Sequence, residues 1–290
     1  MINNIATQKI GKGSFSTIYK GIYNNKFVAL KVIKKNKIDN DYCKKYLYRE
    51  QNILNKLDNK NVIKLYDVHE NKTLLMLVLE LCEYSLLDYL YNNKLNNKLE
   101  IKVIFTELLD AVDYIHSKNI IHRDIKLENI LLKDNHVKLS DFGLSSEIYN
   151  VLKTQCGTLK YAAPELFLDE GYDKAVDIYS MGICIFVMKF KKFPSNIPQE
   201  DTSLTSLTSL TSLIYDMLIQ NPNKRITISE IYKHCYITNI NNLKPVDTNR
   251  EYNIYKPDNL SIPKYRKHST PDNLSIPSNE KNNLRPGTCV

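Results

Sequence analysis

His122-Arg123-Asp124-Ile125-Lys126-Leu127-Glu128-Asn129 is the stretch on which the reading of this chain turns. It lies in a run of short strands and loops from Ile120 to Leu144. Upstream, residues 99–118 read as a long amphipathic helix with Ile101, Ile104, Phe105, Leu108, Val112 and Ile115 on one face. Downstream come Asp141-Phe142-Gly143 and Ala163-Pro164-Glu165, then an almost wholly apolar segment, Val176–Met188, whose composition predicts a buried helix. A charged loop is thus set between two segments that read as core.

Further upstream the pattern changes to strands. Residues 7–34 alternate with period two around an Asn24-Asn25 turn, which predicts a β-hairpin. Residues 41–57 space Leu47, Ile53, Leu54 and Leu57 as a helix does, and Val62–Val68 and Leu74–Leu81 read as two more strands. The result is a small β-rich unit with one helix, ending near Leu81. Its hairpin carries Gly11-x-Gly13-x-x-Ser16-x-Ile18, where glycines would let backbone N–H groups close over phosphates without a Cβ clash. A plain hairpin turn accounts for the glycines equally well. No Gly-Lys-Ser/Thr ends this loop, and it leads into a strand, so neither a Walker loop nor a dinucleotide fingerprint fits. On the next strand, Val28-Ala29-Leu30-Lys31 places a lysine among apolar residues, where it must find an anion or bear a desolvation cost. Glu50 on the expected helix is a partner in reach; an exposed strand end is the alternative.

Composition bounds the remaining possibilities. The chain has 290 residues, only 8 glycines and no tryptophan, where average usage would give about twenty glycines. That excludes collagen-like and glycine-linker proteins. Hydrophobic content of 43% and charged content of 25% are globular values. The net charge of +8, with pI near 8.9, is spread without a basic run or interleaved aromatics, which reads as a solvated basic surface and not a nucleic-acid groove. Cys43, Cys82, Cys156, Cys184, Cys235 and Cys289 form no CxxC pair, so reduced thiols are expected. No N-terminal signal pattern is legible, and Leu74–Leu79 and Ile178–Met188 are too short to span a bilayer. The expectation is a soluble cytoplasmic or nuclear protein. Residues 202–213 are four Thr-Ser-Leu repeats. Beyond His234 the chain turns polar, and ProAspAsnLeuSerIlePro occurs at 257–263 and again at 271–277, which suggests a flexible tail.

In order and spacing the motif segments resemble a eukaryotic protein kinase over residues 5–237. Lys126, two residues after Asp124, and Thr158 follow the serine/threonine pattern. Cys156 to Leu166 and Asn221 to Ile228 are similar to the calcium/calmodulin–AMP-activated group, especially to checkpoint kinases. The resemblance implies an α+β, bilobal protein-kinase-like fold: a small β-rich N-lobe (1–81), a larger, mainly helical but shortened C-lobe (82–237) and a flexible polar tail (238–290). It implies an ATP- and magnesium-dependent enzyme that phosphorylates serine or threonine in protein substrates, in cell-cycle or checkpoint signalling. The alternative is a catalytically weak pseudokinase that serves as a nucleotide-binding scaffold.

The same resemblance gives the matching residues their roles. Gly11 and Gly13, with Ser16 in place of the third glycine, would fold over the ATP phosphates, and Lys31 paired with Glu50 would bind the α- and β-phosphates. Ile10, Ile18 and Ala29 above and Leu131 below would enclose the adenine. Glu80 and Cys82 would offer it backbone hydrogen bonds, with Leu79 as gatekeeper. Asp124 would orient the attacking hydroxyl, Lys126 would neutralise the moving phosphoryl group and Thr158 would contact Asp124. Asn129 and Asp141 would hold magnesium. Leu54, Leu65, His122 and Phe142 would stack on Asp177, and Glu165 would pair with Arg225. Arg123 could receive a phosphate placed on Thr154 by an upstream kinase, and Glu128 could favour a basic substrate residue. A monomer with no nucleic-acid or membrane partner is expected. Several positions depart from the family: Tyr179 replaces a usual tryptophan, the hinge Glu80–Asp88 is one residue short, and Phe193–Met217 is about a dozen short. At a three-residue step the repeat leucines drift around a helix, which predicts poor packing there.

Overall fold

The computed structural model of the chain describes residues 8–13, 16–37, 47–92, 95, 98–147, 157–168, 171–194 and 209–238. Asn24 and Asn25 take φ of 47° and 59°, the left-handed pair that a two-residue hairpin turn needs. They join β2 (Ser16–Tyr23) to β3 (Lys26–Lys34). With β1 (Gln8–Lys12), β4 (Leu65–Glu70) and β5 (Leu74–Glu80) these form an antiparallel sheet of order β1-β2-β3-β5-β4. The pleat sends alternate residues to opposite faces. Ala29, Ile33, Leu75, Leu77 and Leu79 enter the main core, while Val28, Leu30 and Val78 pack beneath Tyr19, Tyr23 and Met76 on the other side.

The helix Arg49–Leu54 lies against the first face and buries Glu50, Ile53 and Leu54. It lies in the second half of the helix expected over 41–57; residues 38–46 lie outside the described part. The strand expected from Val62 begins only at Leu65. Asn61–Ile63 are drawn instead onto the large lobe: the Ile63 N–H donates to the Leu139 carbonyl at 2.9 Å, and the Leu139 N–H donates to the Asn61 carbonyl at 2.8 Å.

Two helices organise the large lobe. The helix Lys98–Ser117 buries Phe105, Leu108, Leu109, Val112 and Ile115, and the helix Ala175–Phe190 is buried almost all round. Above them β6 (Tyr84–Ser85) pairs with β8 (Ile130–Lys133), which pairs with β9 (His136–Leu139). The short β7 (Ile120–Ile121) pairs with β10 (Ser146–Glu147). One continuous apolar core runs from the sheet into this lobe, giving the α+β, two-lobed arrangement expected. Among the described residues no helix is long and apolar enough to cross a membrane, and Cys82, Cys184 and Cys235 are free thiols. Of the tail expected over 238–290, Thr238 ends the short helix Cys235–Thr238 and residues 239–290 lie outside the described residues.

The end of the Thr-Ser-Leu tract corrects the expectation of poor packing. Ser209–Met217 is a helix in which Leu210, Leu213, Ile214 and Met217 are all buried. These sit at i, i+3, i+4 and i+7, so the last two repeat leucines come into phase with Ile214 and Met217 as one stripe. The stripe meets the helix Ala175–Phe190 at Gly182, where a methyl group would lie 2.9 Å from Met217 Cβ and 2.9 Å from Leu218 Cδ2. We expect Gly182→Ala to cost about 1–3 kcal/mol through overpacking, read as a Tm lowered by roughly 2–4 °C for each kcal/mol. An unchanged Tm would mean that the two helices do not approach this closely.

Candidate active site

Strand alternation fixes the first element. Lys31 faces the core between Ala29 and Ile33, and its side chain is 10% exposed. Its Nζ donates to Glu50 Oε2 at 2.5 Å and to Asp141 Oδ1 at 2.9 Å. Burial disfavours the ammonium charge, but the two carboxylates outweigh it and hold the Lys31 pKa above its ordinary value. The Lys31 charge in turn draws the Asp141 carboxyl down to about 2. The anion that an apolar-strand lysine demands is therefore supplied twice, once by the helix and once by the large lobe.

The loop carrying Asp124 is hung from below. Asp177, fully buried in the first turn of the helix Ala175–Phe190, accepts the His122 N–H at 2.8 Å and the Arg123 N–H at 2.9 Å. His116 Nε2 lies 2.8 Å from the same carboxylate. His122 and Phe142 meet edge to face with ring centroids 4.9 Å apart, and Leu54 and Leu65 belong to the same core. The backbone turns sharply at Arg123 (φ 68°) and Asp141 (φ 61°). Against that bend, Gly157 takes φ 99°, and a Cβ there would stand 2.7 Å from the Arg123 carbonyl.

Asp124 is the point of convergence. Oδ2 accepts from Lys126 Nζ at 2.7 Å and from Asn129 Nδ2 at 3.1 Å, and Oδ1 accepts from Thr158 Oγ1 at 2.9 Å. Lys126 Nζ also donates to Thr158 Oγ1 at 2.9 Å. Three residues separated by up to 34 positions thus fix the rotamer of one buried carboxylate, as a group that must take or orient a substrate proton requires.

Most of the residues that the resemblance assigns to the nucleotide lie on the small-lobe sheet and the hinge. Gly11 pairs with Ile18 across β1 and β2. The Gly13 N–H donates to the Ser16 carbonyl at 2.9 Å, closing the loop. Ile10 is exposed on the edge strand, Ile18 half-buried, and Ala29 buried opposite Leu79. Leu131 is half-buried on β8, across the cleft. Glu80 closes β5, and Cys82 follows it in the hinge, where burial and the neighbouring carboxylates push its thiol up to about 12.

The donor set fits magnesium. Asn129 turns its amide nitrogen to the Asp124 carbonyl and carboxylate, which leaves the amide oxygen directed away from Asp124. Asp141 commits Oδ1 to Lys31 while its side chain stays 45% exposed. Both are hard oxygen donors, and Mg²⁺ takes one or two such ligands with phosphate and water oxygens completing its shell. No cluster of three or more His, Cys, Asp or Glu side chains able to hold a metal occurs among the described residues.

Beside Thr158 a cavity of about 210 Å³ opens between Leu87, Leu127, Tyr161, Val187 and Phe193, with Glu128 and Lys160 among its lining residues. At the hinge exit the acidic side chains are committed locally. Leu86 is fully buried, Glu83 accepts the Asp134 N–H at 3.0 Å, and Asp88 accepts from Ser85 Oγ at 2.6 Å. Arg123 donates to the Leu144 carbonyl at 2.6 Å and to the Tyr172 hydroxyl at 2.8 Å; Thr154 lies outside the described residues. Glu165 and Arg225 form the buried pair that the sequence suggests. Tyr179 occupies its unusual position with its ring 5.0 Å from the Arg225 guanidinium carbon.

Three contributors were not legible beforehand. Tyr172 holds Arg123, and Lys133 and Lys138 both reach the Glu80 carboxylate. The one signal for the lysines was their placement on an apolar hairpin, which Lys31 shared.

Comparison with known proteins agrees with this geometry. The model described as "Protein kinase domain" matches residues 5–237. Relatives include the probable serine/threonine-protein kinase MARK-A of Dictyostelium discoideum, 33% identical over 81% of this chain and 24% of that protein. The serine/threonine-protein kinase SIK1 of Rattus norvegicus is 34% identical over 78% and 31%, and the NUAK family SNF1-like kinase 1 of Homo sapiens is 30% identical over 79% and 38%. The chain therefore spans about a quarter to two fifths of the length of these relatives, whose names fall in the AMP-activated-kinase-related part of the group that the sequence suggests. With that match across the lobes and both sides of the cleft, the chain belongs to the protein kinase domain family.

Proposed function

We propose that this chain is an active serine/threonine protein kinase, transferring the γ-phosphoryl group of ATP, with magnesium, to hydroxyls of protein substrates. The observation that carries it is the joint hold of Lys126 and Thr158 on the Asp124 carboxylate. Bound magnesium would supply positive charge that offsets the phosphates. Asn129 and Asp141 are the residues to hold it, Lys31 to hold the α- and β-phosphates, Asp124 to orient the hydroxyl and receive its proton, and Lys126 to offset charge on the transferred group. The 2.5 Å Lys31–Glu50 pair supports nucleotide binding, which both readings need; the hold of Lys126 and Thr158 on Asp124 is what favours turnover over the scaffold alternative.

Substrate choice follows from the cavity beside Thr158. Its apolar walls suit the stem of an arginine whose head reaches the exposed Glu128 carboxylate. A positional-scanning peptide array with labelled ATP tests both levels. We expect transfer to serine and threonine peptides, with arginine near the acceptor favoured by at most about fivefold, the worth of an exposed ion pair. That preference should vanish in Glu128→Gln. A magnesium–ATP thermal shift with no peptide labelled would instead support the scaffold reading. The same array with Thr154→Ala tests upstream control: a phosphate on Thr154 would add nearly two negative charges that arginine could pair with, so reduced labelling by the variant of protein activated in cells is expected.

A further inference from the structure

Glu80 carries a role that its backbone does not explain. Its carboxylate is almost fully buried, yet it is bound by two lysines from the other lobe: Lys133 Nζ to Oε1 at 2.7 Å and Lys138 Nζ to Oε2 at 3.0 Å. The register shows why the lysines arrive together. Leu131 pairs with Lys138 across β8 and β9, and Leu131 and Lys133 are two residues apart on β8, so all three project from one face of the hairpin. That face carries Leu131, the floor of the expected adenine site. The hairpin turn at Asp134 and Asn135 (φ 50° and 63°) sets this register.

The hinge is therefore pinned to the hairpin at both ends. At its exit the Glu83 N–H donates to the Leu132 carbonyl at 3.0 Å, and β6 pairs with β8. At its entry the tie to the hairpin is the Glu80 side chain. We propose that the Glu80 carboxylate, gripped by Lys133 and Lys138, is a positioning strut that sets the height of the hinge above Leu131 and so governs nucleotide affinity. Burial alone would raise the Glu80 pKa; the two lysine hydrogen bonds overcome it and hold the carboxyl below its ordinary value, so the strut stays charged at neutral pH. The lysines touch neither Asp124, Asn129 nor Asp141 in these contacts, so the strut acts on binding and not on phosphoryl transfer. The inference rests on the kinase reading only for the identity of the nucleotide.

The test uses the full chain with Lys133→Met/Lys138→Met and, separately, Glu80→Gln. Loss of the charged hydrogen bonds should raise the ATP KM and the Kd for magnesium–ADP by about tenfold in the lysine pair, with kcat within about twofold. Glu80→Gln should raise both by a smaller factor, and combining it with the lysine substitutions should add nothing, since the lysines act through Glu80. Should the lysine pair fail to fold, Glu80→Gln alone decides, with its binding constant read beside its Tm. An unchanged ADP Kd in the folded variants, or a fall in kcat with KM untouched, overturns the strut. Absence of phosphoryl transfer by the wild-type chain would overturn the kinase reading, while the ADP titration would still report on the strut.

Discussion

Asp124→Asn should lower phosphoryl transfer by about 10²–10⁴-fold, the usual worth of a positioned acid–base group, while magnesium–ADP binds as tightly as before. The carboxylate accepts from Lys126, Asn129 and Thr158 together. An amide of the same shape offers one oxygen and one NH₂, so it must turn a donor toward either the Lys126 ammonium or the Thr158 hydroxyl, and it cannot take a proton at all. Binding is expected to be spared because the Lys31–Glu50–Asp141 set makes no contact through Asp124, and Asn129 keeps its hydrogen bond to the Asp124 carbonyl. Labelled-ATP transfer to a peptide gives the first quantity and calorimetric ADP titration the second. Full turnover in the variant would remove Asp124 from the reaction. A loss of transfer matched by an equal loss of ADP affinity would place it in nucleotide binding.

How far such a site could be read beforehand depends on the kind of contact. Lys31, Asp124, Lys126, Asn129, Asp141 and Thr158 were legible because each sits in a short motif, and Glu50 because the expected helix offered Lys31 an anion; the fold brings all seven together. The hairpin turns were legible in part. A chain with only 8 glycines places asparagine or aspartate at six of the left-handed positions among its described residues: Asn24, Asn25, Asn119, Asp134, Asn135 and Asp141. These residues tolerate positive φ at modest cost. The Asn24-Asn25 turn followed from strand alternation on either side, but Asp134-Asn135 did not announce the register that aligns Lys133 and Lys138. The buried packing of Leu210 and Leu213 was missed for a related reason. A repeat of three has no helical stripe of its own and gains one only from Ile214 and Met217 beyond it. The late start of β4 reflects a long-range competitor, the Leu139 backbone, which local propensity cannot weigh.

The largest effect on stability should come from Arg225→Met. All five guanidinium N–H groups have acceptors: Nε donates to the Ile219 carbonyl at 2.9 Å, one terminal nitrogen to Glu165 Oε1 at 2.5 Å and the Ala175 carbonyl at 2.8 Å, the other to Glu165 Oε2 at 2.9 Å and the Gln220 carbonyl at 3.1 Å. The Arg225 side chain is 0% exposed and that of Glu165 5%. Removing one partner of such a pair strands a buried carboxylate and typically costs about 3–5 kcal/mol, a Tm lower by on the order of 10 °C for a chain of this size. The position of the pair extends the effect to activity. Glu165 belongs to the turn Pro164–Phe167, which follows the Thr158 segment that contacts Asp124. We therefore expect turnover to fall even below the unfolding temperature, as Thr158 loses its support. Arg225→Lys keeps the charge but not the planar fork, and should fall between wild type and Arg225→Met. In the double variant Arg225→Met/Glu165→Met the stranded charge is gone, so it should be more stable than Arg225→Met alone, yet below wild type because three backbone carbonyls lose their donor. Thermal unfolding of the four proteins decides the matter: equal Tm values for Arg225→Met and wild type would show that this buried pair does not hold the large lobe together.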